Sequence, residues 1–539
     1  MLKKRLSIFF LIFFILSSLL IIRISIIGST PELLNTAKRQ QTYKLNISNE
    51  RANIYDRKMK KLTNTQKVWK IIACPDISVV DDILDMGSDL SREELADLVS
   101  LGKPFIAKVK SPNTQNNNII PVCVTNRCSK DELAIHTLGY IDSDGEGVCG
   151  IEKAYNDFLK QNSHSVTASC TLDGKSKFLK GGAVNIEPHG NEDAGVILTI
   201  DSTIQDILER CCSSIKKGSA VVLSAENAQI LAMASFPSFS TENLSEAIND
   251  KENAPMINRS LNAYPVGSVF KIVTSAAALD LGISPNTIYS CTGSIDISSQ
   301  IFHCHNRNGH GTLNMASAFK ESCNPYFIDL GQKLGSENLR HAAKSFGFGR
   351  KIQLADSFEA SSGALPPSQM SIGELANFSF GQGNLTATPL QVAQMVFAIA
   401  GDGHSILPSL VIGTTTNGKD IVTKKEAAPI KSTSKAAAQQ IRDFMIGAIK
   451  NTVAEPKFTT AGGKSSTAQT GRKNQDGLEE YETWFAGFFP ADKPKYIAVI
   501  TLENGRFGTL DCGPIFSRLA DYLWTLDGPD LSNNNQKDK

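Results

Sequence analysis

The sequence predicts an α+β protein: a sheet closed by both ends of a long C-terminal segment, helices covering it, and a mixed module and apolar helix ahead of it. Three observations carry this. An apolar run follows a basic N-terminus, strand patterns gather near 195–236 and again near 480–503, and long helical patterns fill the interval between them.

The apolar run comes first. Lys3, Lys4 and Arg5 precede an uncharged stretch over 6–22, followed by Arg23 and "ISIIG". At roughly 17 to 22 residues it is long enough to cross a bilayer, and no Ala-Xaa-Ala-like cleavage site follows. The expectation is a single-pass anchor whose basic tip stays in the cytoplasm and whose remaining chain lies outside the membrane. The whole chain, at 539 residues, exceeds one ordinary core and suggests two or three domains. With 41% hydrophobic and 20% charged residues and a net charge of +1, it gives no electrostatic reason to expect a nucleic-acid partner.

After the anchor, "STPELLNTAKRQQTYKL" has polar helical periodicity and reads as a stalk, and "RANIYDRKMKKLTN" reads as strand, charged turn and strand. Residues 65–190 alternate short apolar runs with helical stretches such as "SREELADLVSL" and gather no catalytic residue types. "AGVILTIDSTIQDILERCCSSI" is a β-rich run feeding an amphipathic helix, and "SAVVLSAENAQILAMASFPSF" is two strands about a turn. Helices follow in "SVFKIVTSAAALDLG", "NMASAFKESCNPYFIDLGQKLG" and "TPLQVAQMVFAIAGDG", then strands in "ETWFAGFFP" and "KYIAVITLEN". Both ends of this segment should meet in one mixed sheet. The last residues, "DGPDLSNNNQKDK", have a disordered composition.

Eleven cysteines are an odd number without a regular framework. The densest group joins Cys291 to "HCHNRNGH", where His303, Cys304, His305 and His310 are potential zinc ligands. The pair-to-pair spacing of structural zinc sites is missing, so neither a metal nor another cofactor is expected. The group reads instead as a Cys291–Cys304 disulfide, or as two buried thiols beside loop histidines.

Three short motifs carry chemical potential. In "YPVGSVFKIVT", Pro265 and Gly267 break the chain before Ser268, which places the serine at a helix start with Lys271 one turn on, on the same face. A desolvated lysine is a competent base for a serine nucleophile. "ESCNPYF" puts Ser322 and Asn324 on a link between helices, where a hydroxyl and an amide face one cleft. "GGKSSTAQTG" lacks the glycine and the residue order of a phosphate loop. Read as a strand, it sends Lys464 and Ser466 to one face and Ser465 and Thr467 to the other, with hydroxyls suited to a carboxylate. The Thr467 amide and the Ser268 N–H could together form an oxyanion hole. Each motif alone also fits a cap, a turn or a plain strand.

Their order, Ser-Xaa-Xaa-Lys, Ser-Xaa-Asn, Lys-Ser/Thr-Xaa-Thr, resembles the serine acyltransferase set of penicillin-binding proteins and serine β-lactamases. "RANIYDRKMKKL", "GVCGIEKAYNDFL", "LTIDSTIQ" and "FGQGNLTATPLQVA" extend the resemblance to the class B penicillin-binding proteins, over residues 51 to about 505. The resemblance implies a transpeptidase-like domain at 196–526, an antiparallel sheet covered by helices. Ahead of it would lie an anchor at 1–28 and an elongated mixed pedestal or dimerisation-like module at 29–195, with a disordered tail at 527–539. It further implies a peptidoglycan D,D-transpeptidase acting on stem peptides and acylated by β-lactams at Ser268. Lys271 would be its base, and Ser322 and Lys464 would shuttle the proton. Asn324 would hold the substrate backbone, Ser465 and Thr467 its terminal carboxylate, and a membrane glycosyltransferase would be the partner.

Two departures stand out. Ala52 replaces a glycine in the first box, and Ser466 replaces the glycine usual at the third strand position. By alternation Ser466 points away from the carboxylate face and should press on the structure behind, needing a partner for its hydroxyl. A non-catalytic scaffold is therefore the second reading. A β-lactamase is the third, with Glu374 the sole candidate for its water-activating base, although that residue is expected to face solvent or cap a helix.

Overall fold

The computed structural model describes residues 2–32, 36, 41–127, 132–179, 182–425, 427–474 and 476–528. They form two compact units. The first takes the described residues within 1–52, 64–127 and 162–192; the second takes those within 53–63, 128–161 and 193–528.

The first unit opens on helix α1 (Leu2–Ser29). Among the described residues it is the one helix long and apolar enough to cross a membrane. Its leucines, isoleucines and phenylalanines are exposed all round, which suits a lipid solvent and not water. The expected stalk lies partly outside the described residues. Its end, "TYKL", is not helical but begins strand β1 (Thr42–Glu50), because pairing with a partner strand outweighs the weak local helical pattern.

Two antiparallel sheets complete this unit. In one, β2 (Gln66–Ala73) is central. Helices α2 (Val79–Asp85) and α3 (Arg92–Ser100) follow it, then the flanking strands β3 (Phe105–Val109) and β4 (Ile119–Asn126). The start of α3 is fixed by a capping box, Ser91 with Glu94. Ile71, Val79, Ile83, Leu95 and Phe105 form the core between that sheet and its helices. In the other sheet, β1 pairs with β5 (His164–Thr171), which pairs with β6 (Asn185–His189).

The second unit claims residues 53–63 through hydrogen bonds. The short strand Asn53–Tyr55 pairs in parallel with Gly195–Ile197. Asp56 Oδ1 accepts from the Lys58 and Lys60 N–H groups, and its Oδ2 accepts from Ser202 N–H. That amide opens helix α4 (Ser202–Cys211), whose N-cap is Asp201. The expected second strand of the "RANIYDR" segment reduces to a single bridge, Tyr55 to Lys61.

Next come β7 (Gly218–Ser224) and β8 (Ile230–Phe236), then the helical block. It contains α5 (Lys271–Asp280), α6 (Met315–Lys320), α7 (Asn324–Leu334), α8 (Pro389–Ala400) and α9 (Lys435–Ile449). Strands β13 (Gly462–Lys473), β14 (Glu479–Phe489) and β15 (Tyr496–Glu503) lead into α10 (Gly513–Asp527). The five strands stand in the order β8-β7-β15-β14-β13, joining both ends of the segment. Every pair in this sheet is antiparallel, which corrects the mixed sheet read from the element pattern and agrees with the resemblance. Helices α4 and α10 pack Leu208, Phe516 and Leu519 against Val222, Phe485 and Ile500 of the sheet. Helix α8, wholly buried and apolar apart from Gln391 and Gln394, lies against the other face. The arrangement leaves β13 as the edge strand. Helix α10 takes in Asp527, the first residue of the expected tail, whose residues from 529 on lie outside those described.

Candidate active site

Ser268 sits in a 3-10 turn, Gly267–Phe270, that runs into α5 and brings Lys271 to the first turn of that helix. The turn is held from three sides. Gly267 has φ +62, and a Cβ there would lie 2.3 Å from Ser466 Oγ and 2.9 Å from Ala468 Cβ, so glycine is required by both conformation and space. Its N–H donates to the Gly381 carbonyl at 2.8 Å, which gives the "FGQG" segment its place beside the Ser268 turn. Trp484 Nε1 donates to the Pro265 carbonyl at 2.8 Å, tying β14 to the same approach.

Lys271 is fully buried. Its Nζ lies within hydrogen-bond reach of the Ser322 carbonyl at 2.7 Å, Ser322 Oγ at 3.1 Å and Asn324 Oδ1 at 2.8 Å. Burial and, next, the nearby Lys464 charge hold its pKa well below the ordinary lysine range, which favours the neutral amine. Ser322 and Asn324 flank a break between α6 and α7. Pro325 in the first turn of α7 forbids one continuous helix, and Ser322 takes φ +52, a conformation that a non-glycine residue adopts at a cost.

Lys464, also buried, reaches the same hydroxyl: its Nζ donates to Ser322 Oγ at 3.2 Å and to the Ser465 carbonyl at 3.1 Å. Desolvation lowers its pKa to about 8. Ser322 Oγ is thus the point where the second motif meets the lysines of the first and third. Such a junction can pass a proton between two amines held close to their neutral forms.

On the opposite face of β13, Ser465 and Thr467 are partly exposed. Thr509 Oγ1 donates to Ser465 Oγ at 2.8 Å, and Gly508 N–H donates to Thr467 Oγ1 at 3.2 Å, so one turn after β15 orients both hydroxyls. The expected alternation holds. Ser466 does press on structure behind that face, and that structure is the turn that carries Ser268; its Oγ is buried and finds no partner. Glu374 is exposed and occupied in a capping box with Ser371, as expected. Thr509 and Trp484 had no signature in the sequence, since a threonine in a loop and a tryptophan in a strand are ordinary.

The cysteine group takes a form the sequence left open. All ten described cysteines are free, so the Cys291–Cys304 disulfide is not formed and the buried-thiol reading holds. Cys291, Cys304 and His310 gather with Cys323, a residue hidden inside the Ser-Xaa-Asn motif; His303 and His305 are not of the group.

Residues 218–521 match the family described as the penicillin binding protein transpeptidase domain. The chain belongs to that family. Among curated members, this transpeptidase-family chain is 29% identical over 399 residues to stage V sporulation protein D of Bacillus subtilis, across 70% of this chain and 59% of that protein. It is also 29% identical over 345 residues to the peptidoglycan D,D-transpeptidase PbpA of Mycolicibacterium smegmatis, across 59% of this chain and 68% of that one. The match thus spans about three fifths of the first relative's length. Solved structures share the fold. Mycobacterium tuberculosis penicillin binding protein 3, complexed with aztreonam, gives a TM-score of 0.65 at 23% identity, over 90% of this chain and 97% of that one. Penicillin-binding protein PBP2 of Helicobacter pylori, in complex with MreC, gives 0.65 at 22% identity, over 90% and 99%.

Proposed function

We propose that this chain is a membrane-anchored peptidoglycan D,D-transpeptidase that works through a Ser268 acyl-enzyme. One observation supports the reading above others: Ser322 Oγ lies within hydrogen-bond reach of both Lys271 and Lys464. Ser268 Oγ attacks the penultimate D-alanine carbonyl of a stem peptide while neutral Lys271 takes the hydroxyl proton. The oxyanion rests on the Ser268 and Thr467 N–H groups. As the tetrahedral species collapses, the C–N bond breaks and the proton passes through Ser322 and Lys464 to the departing D-alanine amine. An amine from a neighbouring strand then attacks the ester, forming the cross-link and freeing Ser268. Asn324 holds the peptide backbone, and Ser465 and Thr467 hold the terminal carboxylate.

A β-lactam carries an equivalent carbonyl and carboxylate and acylates the same serine. Under this reading α1 is the anchor, its tip is cytoplasmic and the catalytic domain lies outside. Residues 29–195 serve as the pedestal, 196–526 as the transpeptidase domain, and a membrane glycosyltransferase supplies the strands. The scaffold reading draws on Ser466 alone.

Labelling the full chain with a fluorescent penicillin and following the adduct by intact mass, with Ser268→Ala as control, decides among these. A lasting adduct lost in the variant is expected. Rapid hydrolysis would indicate a β-lactamase, and no adduct at all would leave the scaffold.

A further inference from the structure

We infer that Cys291, Cys304, His310 and Cys323 form a closed structural zinc site that staples the 289–313 segment to the Ser322–Asn324 link. The four ligand atoms lie within 4.8 Å of one another, and the three thiols are buried, with exposures of 2%, 2% and 0% for Cys291, Cys304 and Cys323. His310 turns Nδ1 to Cys304 Sγ at 3.5 Å. Around a tetrahedral zinc with bonds of about 2.3 Å to sulfur and about 2.0 Å to nitrogen, sulfur and nitrogen ligands stand about 3.5 Å apart and sulfurs about 3.8 Å apart. Contraction by at most about 1.3 Å therefore completes the site. Three thiolates and one imidazole are a common structural zinc set, soft enough to disfavour magnesium and calcium, and with four protein ligands no position stays open for water or substrate.

The ligands come from sequence-distant places, with twelve, five and twelve residues between successive members. Strand β9 (Tyr289–Cys291) pairs with β12 (Gly311–Leu313), and β10 (Ser294–Ile297) pairs with β11 (Gln300–His303). Each is a two-stranded sheet with few buried side chains, a kind of unit that is marginal on its own. Here backbones approach closely around the thiols. Cys304 N–H donates to the Gly293 carbonyl at 2.9 Å, and Gly309, at φ +80, has no room for a Cβ beside the Cys291 carbonyl. A disulfide between any two of the thiols would leave the third and His310 facing it unused, whereas one metal engages all four. The fourth ligand, Cys323, stands between Ser322 and Asn324, whose side chains take the Lys271 amine. Zinc would thus fix the link that presents them, without touching substrate, and would supply stability that a small core does not.

The test is metal content of the full chain purified in detergent without chelator, followed by X-ray absorption at the zinc edge. One zinc per chain with three sulfur and one nitrogen neighbours is expected. Cys304→Ser and His310→Ala should each lose most of it, and stripping the wild type should lower its unfolding midpoint until zinc is restored. Three results would overturn the inference: no zinc retained or taken up by the wild type, a mass 2 Da low from a disulfide in the group, or equal zinc in the variants. If the variants do not fold, the wild-type neighbour shell still decides. None of these readouts depends on acylation, so the site and the proposed activity fail separately.

Discussion

Replacing Ser466 by alanine should make this protein more stable. The Ser466 hydroxyl is buried, 3% exposed, and has no hydrogen-bond partner, so folding strips its water and returns nothing. An unsatisfied buried hydroxyl costs about 1 to 3 kcal/mol. Deleting one oxygen against Gly267 leaves a gap too small for water, and the lost contacts take back a fraction of that. The net expectation for Ser466→Ala is a gain of about 1 kcal/mol, or a rise of roughly 1 °C in the thermal midpoint of the second unit. Ser466→Gly removes the same hydroxyl but adds about 0.5 to 1 kcal/mol of backbone entropy cost, so it should be close to neutral. Scanning calorimetry of the three proteins, read beside penicillin acylation rates, tests the order Ala above Gly and wild type. A fall in the midpoint for alanine would refute the reasoning, because it would mean the hydroxyl is satisfied in solution.

If Lys464 relays a proton as proposed, the rate of penicillin acylation should fall on the alkaline side with a limb near pH 8, where Lys464, lowered to about 8 by desolvation, loses that proton; a rate still rising through pH 9 would count against that role. Glu482, fully buried with one carboxylate oxygen unpartnered, has its pKa raised well above 4.5, chiefly by burial. Its folded form keeps a proton that the unfolded chain releases, so stability should drop as pH rises from 4.5 through the neutral range. Glu482→Gln should flatten that dependence in thermal melts between pH 5 and 8, and an unchanged slope would contradict it.

Local pattern gave away most of the frame. The apolar N-terminal helix, the helical stretch at 91–101, the helices at 271–280 and 389–400 and the late strands all followed from periodicity, which depends on neighbours in sequence. Residues 42–45 and the parallel or antiparallel sense of the sheet did not, because pairing partners decide those.

The same division runs through the site. Residue types alone determined the inventory: a serine with a lysine one turn on, a hydroxyl and an amide about a proline-terminated link, and a strand with a lysine and two hydroxyls on opposite faces. Only tertiary structure decided that both lysines meet at Ser322 Oγ, that Thr509 orients Ser465, and that Ser466 lies unpaired against the turn before Ser268. It also decided that Cys323 joins Cys291, Cys304 and His310. A sequence records which groups exist and how near they are along the chain. Convergence of groups tens to hundreds of residues apart depends on how sheet and helices pack, and no local spacing encodes it.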